Sequence, residues 1–496
     1  MLSLKHLNIK SFNENLAYLN KNCLDYSIDD ISALSQVEIQ TENSKIYAFL
    51  QIVDDDNLVS PAQLALNDEA FANLGEPEGT DVIISLAAAA PSRTALKRKI
   101  AGNILSPQDY KFIIKDIINK RYSDIDIASF IVAGGTFISA NEVLGLTDAL
   151  VDNTKIDWPY EKLVVDHHCL GGIPGNKTDI IIAAIIGAYG IAIPKTVAKA
   201  TTSCASVADT MGIMCNVNLS QDKFKELVTT NRAVIANYEP LEVVDAIKSI
   251  SNVERHLGLT QQEFLLTEVL ALKISAGVTH LLIDIPVGER SRIKTIYEAI
   301  RLRKLAEFVG DRLGIDIEVV ITDGSEPIGN GIGAILEARD VIQILKNKPN
   351  APQDLLEKSL FLAGRLLEFD PKLRGGKGYD TAAEILRSGQ ALEKLNEIIR
   401  AQGKKEQPVL GNYTRDVLAP ESGDIVAIDN QQINRIGIWS GVRQYLGAGI
   451  DLFKKVGDTV AAGEPLYRIY ACTPEDLELA ETVIEDSIGY TIKNNG

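Results

Sequence analysis

The chain of 496 residues carries 50 Lys plus Arg against 67 Asp plus Glu, a net charge of −17, and 46 % of its residues are apolar. That length holds roughly three or four domains at about 100–200 residues each, and the acidic balance disfavours general nucleic-acid binding while leaving room for a local cationic pocket for small anions. The five cysteines, Cys23, Cys169, Cys204, Cys215 and Cys472, include no C-x-x-C pair and are odd in number, which fits a reducing cytoplasm better than a disulfide framework.

Residues 1–92 alternate in short runs such as KIYAFLQIV and TDVIISLAA between Asp, Asn, Pro and Gly, and predict a small β-rich domain. The opening MLSLKHLNIKSFNENLAYL has no continuous apolar h-region, and the longest apolar run, the fourteen residues IIIAAIIGAYGIAI, is short of a membrane span. Neither a signal peptide nor a transmembrane helix is expected. Over 93–158, YKFIIKDIINKRY and IDIASFIVAGGTFI place apolar residues at i, i+3 and i+4, the pattern of a helical domain.

From 159 to 405 strands alternate with helices: KLVV, the helix after Lys177, IAIP, THLLIDIP, the helix IKTIYEAIRLRKLAEFVGDRL stopping at Gly314, and IDIEVVIT. This alternation predicts a largely parallel sheet covered on both faces, with ligands at the carboxyl ends of its strands. Thr260 and Glu263 form a T-x-x-E capping box before FLLTEVLALKISAG, and Gly277 suits that helix's end. Residues 406–496 return to closely spaced strand and turn signals, a β-rich closing domain. Within it KKVGDTVAAGEPLYRI is similar to a lipoyl-type hairpin but has no lysine at a modification tip, and it reads as structural. The fold class is therefore a multidomain α/β protein.

The stretch VDHHCLGGIPGNKTDIIIAAIIGAYG, 165–190, sets glycines between a β-branched strand and a long apolar helix. Free N–H groups and the positive end of the helix dipole make such a turn a seat for phosphate, and glycine lets the backbone come close. One reading is a nucleotide-hydrolysing P-loop, because GGIPGNKT nearly satisfies G-x-x-x-x-G-K-[ST] and HLLID ends in a carboxylate, Asp284, suited to Mg²⁺. Asn176 replaces the second glycine that loop needs, and Pro174 stiffens it.

The other reading is a resemblance. DHHCLGGIPGNKT at 166–178, IPKTVAKATTSCASVADTM, THLLIDIPVG, TDGSEPIGNGIGAILEARD and RYSDIDIASFIVAG stand in the order found in the pyrimidine-nucleoside and AMP phosphorylase family, which the chain resembles over most of its length. The resemblance implies that inorganic phosphate, the co-substrate, attacks C1′ of a nucleoside or nucleoside monophosphate, leaving free base and pentose 1-phosphate. It implies no metal, no further cofactor, and a homodimer formed through the helices around 95–152.

It also implies a site. His167, Cys169, Gly171, Gly172, Gly175, Thr178, Lys199, Thr202 and Ser203 match phosphate positions, His168 and Thr260 match catalytic ones, and Glu268 and Arg292 match residues that contact the base. Several matches change the side chain. The family's phosphate lysine is His167, which exchanges a fixed cation for one that titrates near neutral pH. Its Ser-Ser-Arg-Ala-Ile-Thr-Ser is Val197 to Ser203, without the leading serines, and a following threonine is Val207. Such hydroxyl losses cost about 1–3 kcal/mol each at a dry anion site. The family's proton-donating aspartate is Thr260, which is no acid near pH 7 and whose capping box gives it a purely structural role. His168 alone would read as a structural histidine, Cys169 as a buried thiol and Glu268 as a solvated helix residue. Two expectations follow, a working phosphorylase of altered specificity or a weak or inactive paralogue that binds a phosphorylated ligand or an active homologue.

Overall fold

A computed structural model describes residues 1–11, 14–26, 35–151, 155–159, 161–197, 204–237, 241, 244–259 and 261–494. The chain divides into two compact units, Met1–Asp152 with Val243–Glu268, and Asn153–Glu242 with Val269–Gly496.

In the first unit six strands, Leu2–His6 (β1), Leu16–Asn20 (β2), Gln36–Gln40 (β3), Lys45–Val53 (β4), Gln63–Leu66 (β5) and Asp81–Leu86 (β6), close into a barrel of order β1-β5-β2-β4-β3-β6. Alternation drives the closure: along β4, Ile46, Ala48 and Leu50 point inward and are buried with Leu2, Leu19, Ile39 and Leu64. The helices Arg93–Ile100, Pro107–Ile118, Asp124–Thr136, Ala140–Val151 and Val244–Leu257 follow in the same unit. Ser106 with Asp109 and Ser123 with Asp126 form capping boxes that start two of them. Buried Glu142 ties this layer together, accepting from Lys99 Nζ at 2.7 Å, Leu105 N at 3.0 Å and Tyr110 OH at 3.1 Å.

The second unit is built on five parallel strands, Val165–Cys169 (β7), Ile193–Val197 (β8), Ala233–Asn237 (β9), His280–Val287 (β10) and Asp316–Asp323 (β11). β10 lies between β7 and β11, β8 pairs with β9, and a parallel bridge from Val164 to Ala192 joins the two groups, giving the order β11-β10-β7-β8-β9. The helix Thr178–Tyr189 has Ile180 through Ile186 fully buried and packs against the helices Gln353–Leu367 and Gln390–Ala401. The strand expected at KLVV lies further along, through Asp166, His167, His168 and Cys169. Polar residues occupy a buried strand here because each of the first two has a charged partner in the core. The helix read as stopping at Gly314 runs Ile296–Leu313 and stops there.

The chain ends in two antiparallel sheets. One joins Gly331–Ile332, Gly449–Leu452, Pro465–Ala471 and Tyr413–Leu418; the other joins Thr459–Val460, Gly423–Ile428 and Tyr490–Lys493. Two helices, Asn430–Trp439 and Pro474–Asp486, accompany them. Arg339 grips Asp451 with two nitrogens at 2.7 and 2.8 Å, holding the first sheet to the α/β core. Among the described residues no helix is long and apolar enough to cross a membrane.

Candidate functional site

The chain lays down β7, moves outward through β8 and β9, then returns to the other side of β7 with β10 and β11. The order therefore reverses between β7 and β10, the switch point at whose strand carboxyl ends ligands of open parallel sheets bind. The glycine turn leaves β7 at that point.

Three contacts fix the turn. Leu170 N donates to Asp284 O at 2.9 Å, Arg292 Nη1 donates to Leu170 O at 3.1 Å, and Ile328 N donates to Pro174 O at 3.1 Å. Gly172 and Gly175 have φ of 92° and 74°, and a Cβ on them would lie 2.7 Å from Arg292 N and 2.2 Å from Ile328 O. Only glycine fits, because the loops after β10 and β11 press on the turn from both sides. Some of its donors are used internally: Gly171 N and Asn176 Nδ2 donate to Cys169 Sγ at 3.4 and 3.2 Å, and Thr178 Oγ1 donates to Asn176 Oδ1 at 3.1 Å. The N–H groups of Gly172, Gly175 and Asn176 meet no acceptor among the described residues.

Beneath the turn lies a buried ionic cluster. Lys273 Nζ meets Asp166 Oδ2 at 2.5 Å and donates to Thr196 O at 3.1 Å and Thr196 Oγ1 at 3.0 Å. Lys195 Nζ sits 2.7 Å from Asp179 Oδ1 and 3.5 Å from Asp166 Oδ1, and donates to His167 O. His167, 0 % exposed, sets Nδ1 2.6 Å from Asp179 Oδ1, while its Nε2 is buried without a partner among the described residues. Burial would raise the Asp179 carboxyl, but Lys195 and His167 outweigh it and hold the group well below the carboxylate range. Burial pushes the Lys273 ammonium down to about 8 against the pull of Asp166. For Lys195, burial works the same way, but Asp166 and Asp179 prevail and the ammonium is raised.

His168 is held well below its ordinary value by burial, with Lys273 and Lys195 adding repulsion, so its imidazole is neutral at pH 7. Burial and the Asp284 carboxylate raise the Cys169 thiol, which stays protonated. Glu268 accepts from Ser251 Oγ at 2.7 Å within the first unit, and Arg292 lies against the turn. Lys199, Thr202, Ser203 and Thr260 lie outside the described residues. The residues that the sequence reading did not single out are Asp166, Asp179, Lys195 and Lys273. A lysine inside the apolar strand run IAIPKTV was the available signal, since a buried ammonium requires carboxylate partners.

The P-loop reading fails on geometry. Lys177 Nζ, which would have to reach a phosphate, lies 3.1 Å from Glu337 Oε1 with both side chains at most 5 % exposed, and Glu337 Oε2 also accepts from Thr210 Oγ1 at 2.6 Å. Asp284 is likewise engaged, by Lys358 Nζ at 2.9 Å and Thr322 Oγ1 at 2.5 Å. Among the described residues no group of three or more His, Cys, Asp or Glu is placed to hold a metal.

Comparisons with known proteins agree with this architecture. Residues 93–154 match the helical bundle domain of a glycosyl transferase family, and residues 425–491 match the pyrimidine nucleoside phosphorylase C-terminal domain. The anthranilate phosphoribosyltransferase of Thermus thermophilus superposes on 62 % of the chain and 99 % of its own length with a TM-score of 0.52 at 17 % identity, a likeness of fold alone. Proteins described as "Putative thymidine phosphorylase" from Albidiferax ferrireducens and Methylococcus capsulatus are each 42 % identical, covering 99 % of this chain and 95 % and 96 % of their own. Identity at that level over the whole length leaves one conclusion: the chain belongs to the thymidine phosphorylase family.

Proposed function

We propose that the protein is a phosphorolytic pentosyltransferase that seats inorganic phosphate on the glycine turn and cleaves a pyrimidine nucleoside or nucleoside monophosphate. A phosphate oxygen attacks C1′, the C1′–N bond breaks with its electron pair going to the base, and the base takes up a proton, leaving free base and pentose 1-phosphate. The observation that carries this is the set of unengaged N–H groups at Gly172, Gly175 and Asn176, held by two loops at the start of the helix Thr178–Tyr189 and at the switch point of a parallel sheet.

In this reading Gly171 and Thr178 exchange their internal hydrogen bonds for phosphate oxygens, and Lys199, Thr202 and Ser203 add donors, as the family resemblance implies. His168, as a neutral imidazole, supplies a hydrogen bond rather than a charge to the nucleoside, and Arg292 faces the base. Stabilisation of the oxocarbenium-like centre comes from the bound phosphate itself. Inorganic phosphate is a co-substrate and no other cofactor takes part. The protein works in nucleotide salvage in the cytoplasm, as a homodimer joined through the helices that follow the barrel.

A second reading, binding of a phosphorylated ligand with little turnover, is favoured by the groups beside the turn, since the His168 imidazole is uncharged and the Cys169 thiol stays protonated. A phosphorolysis assay over a panel of nucleosides and nucleoside monophosphates, reading free base, decides between them alongside calorimetric titration with phosphate. Base release from one class of substrate supports the first reading. Phosphate binding with no base from any substrate supports the second, and no phosphate binding at all removes both.

A further inference from the structure

The glycine turn rests on the loop 324–330, which leaves β11. Ile328 N donates to Pro174 O at 3.1 Å, and a Cβ on Gly175 would lie 2.2 Å from Ile328 O. Both backbone groups of Ile328 therefore touch the turn, the N–H by a hydrogen bond and the carbonyl by close packing. Gly175 N–H is one of the donors that meet no acceptor among the described residues, so the place of that donor follows the place of Ile328. The loop's backbone is permissive on both sides of Ile328, at Gly324 and Gly329, and neighbouring elements must hold it.

Two sets of neighbours do so. From the α/β core, Asp340 Oδ2 accepts Asn330 N and Gly331 N, both at 2.7 Å, and Asp354 Oδ2 accepts Gly329 N at 3.0 Å. The second set comes from the lipoyl-like segment KKVGDTVAAGEPLYRI and the residues just ahead of it. Lys455 Nζ donates to Pro327 O at 2.5 Å and lies 2.9 Å from Asp354 Oδ2, Val456 N donates to Glu326 Oε2 at 3.0 Å, and Leu452 N donates to Asn330 O at 2.8 Å. In this second set Lys455 acts through its side chain and the other two through backbone N–H groups, so Lys455 is the support that a substitution removes.

The contacts fall on two rigid planes. Pro327 O and Ile328 N–H belong to one peptide unit, with Lys455 on its oxygen and Pro174 O on its hydrogen. Ile328 O and Gly329 N–H belong to the next, with Gly175 packed on its oxygen and Asp354, the partner of Lys455, on its hydrogen. One ammonium thus reaches the far end of both planes whose near ends meet the glycine turn. We propose that Lys455 is a positioning residue for phosphate, by which the C-terminal part of the chain sets Gly175 and its N–H in place. This rests on the proposed function, in which the glycine turn seats the anion.

The test uses the full-length protein, inorganic phosphate as the probe by calorimetry, and hydrogen exchange of the Ile328 and Gly329 amides read by peptide mass. Lys455→Met keeps the apolar stem and removes the donor; it is expected to weaken phosphate at least about five-fold, the loss of roughly one hydrogen bond, and to speed exchange at both amides at least about ten-fold. In turnover, KM for phosphate rises while kcat changes little. Lys454→Met is the control. Lys454 has the same side-chain exposure, 23 %, and lies 2.6 Å from Glu464 Oε1, so its loss removes an equal charge from the neighbouring position and should leave affinity and exchange within about two-fold of wild type. Should Lys455→Met fail to fold, Lys455→Gln, whose amide nitrogen ends one bond short of the ammonium, carries the same comparison. Phosphate affinity equal to wild type in the Lys455 variant overturns the proposal, whatever the exchange does. So does weakened phosphate with exchange unchanged, and so does an equal loss in Lys454→Met, which assigns the effect to charge alone. Wild-type protein that binds no phosphate overturns the reading of the glycine turn and this proposal with it, so the two failures are distinct.

Discussion

Asp179 Oδ1 is shared between His167 Nδ1 at 2.6 Å and Lys195 Nζ at 2.7 Å, in a place where His167 and Lys195 are at most 2 % exposed. One carboxylate therefore balances an ammonium and orients an imidazole out of reach of water. Removing its charge leaves Lys195 with the Asp166 carboxylate at 3.5 Å and the His167 carbonyl. Asp179→Asn is expected to lower unfolding free energy by roughly 3–5 kcal/mol, the cost of breaking a buried pair on one side. Denaturant unfolding measures it; a change under about 1 kcal/mol would show that the cluster is not what holds β7 to the helix Thr178–Tyr189.

The parallel sheet, the glycine turn and the helix stop at Gly314 were legible because they follow from apolar period and turn chemistry. The ionic cluster was not. Asp166 and His167 look like the start of a loop by polarity, and only the fold brings Lys195 from β8 and Lys273 from a helix 107 residues away to make burial of Asp166 tolerable. The same limit applies to Lys177. In sequence it completes a near-P-loop, and only the distant Glu337, on the helix Ala334–Leu345, reveals that it is a core ion pair.

The glycines of the turn are separable by substitution. A Cβ on Gly172 meets Arg292 N at 2.7 Å, whereas on Gly171 its nearest neighbour is Cys169 O at 4.0 Å, and both have positive φ. Gly171→Ala should cost about 1–2 kcal/mol, the strain of a left-handed alanine. Gly172→Ala adds a backbone clash that pushes the turn off the β10 loop, and should weaken phosphate by an order of magnitude or more beyond Gly171→Ala. Equal phosphate affinities for the two variants would mean that the turn is not the seat.

His168 makes stability depend on acid. Its folded pKa is lowered, by burial first and then by Lys273 and Lys195, with Asp179 opposing and His167 adding to the lowering. As pH falls below about 6.5 the unfolded chain takes up a proton that the fold refuses, so stability declines with falling pH and is level above that value. His168→Gln should flatten the wild-type decline between roughly pH 4.5 and 6.5, judged by thermal midpoints at matched ionic strength. Parallel curves for the two proteins would place a charged imidazole in the fold.

Assembly can be tested on the helix Asp124–Thr136, where Ile125 is 77 % and Val132 49 % exposed seven residues apart, and so on one face. Such residues cost a solitary copy apolar exposure that a second copy would cover. Ile125→Glu combined with Val132→Glu should reduce the mass by light scattering to that of one chain with little change in the thermal midpoint. Wild-type protein that is already monomeric at micromolar concentration rules out the homodimer.

His167 can be tested as a neighbour of the anion. Its Nδ1 lies 2.6 Å from Asp179 Oδ1, and its Nε2 is buried without a partner among the described residues. A buried polar atom left without a partner is costly unless a ligand supplies one. His167→Gln keeps a polar group in the core but loses the ring, and His167→Lys puts back the fixed cation that the family resemblance implies, at the expense of a third ammonium beside Lys195 and Lys273. If phosphate lies against Nε2, calorimetry should find affinity for phosphate lowered at least about five-fold in His167→Gln, the loss of roughly one hydrogen bond, and regained in His167→Lys. Phosphate affinity unchanged in both variants would remove His167 from the anion's surroundings and leave it a core residue serving Asp179 alone.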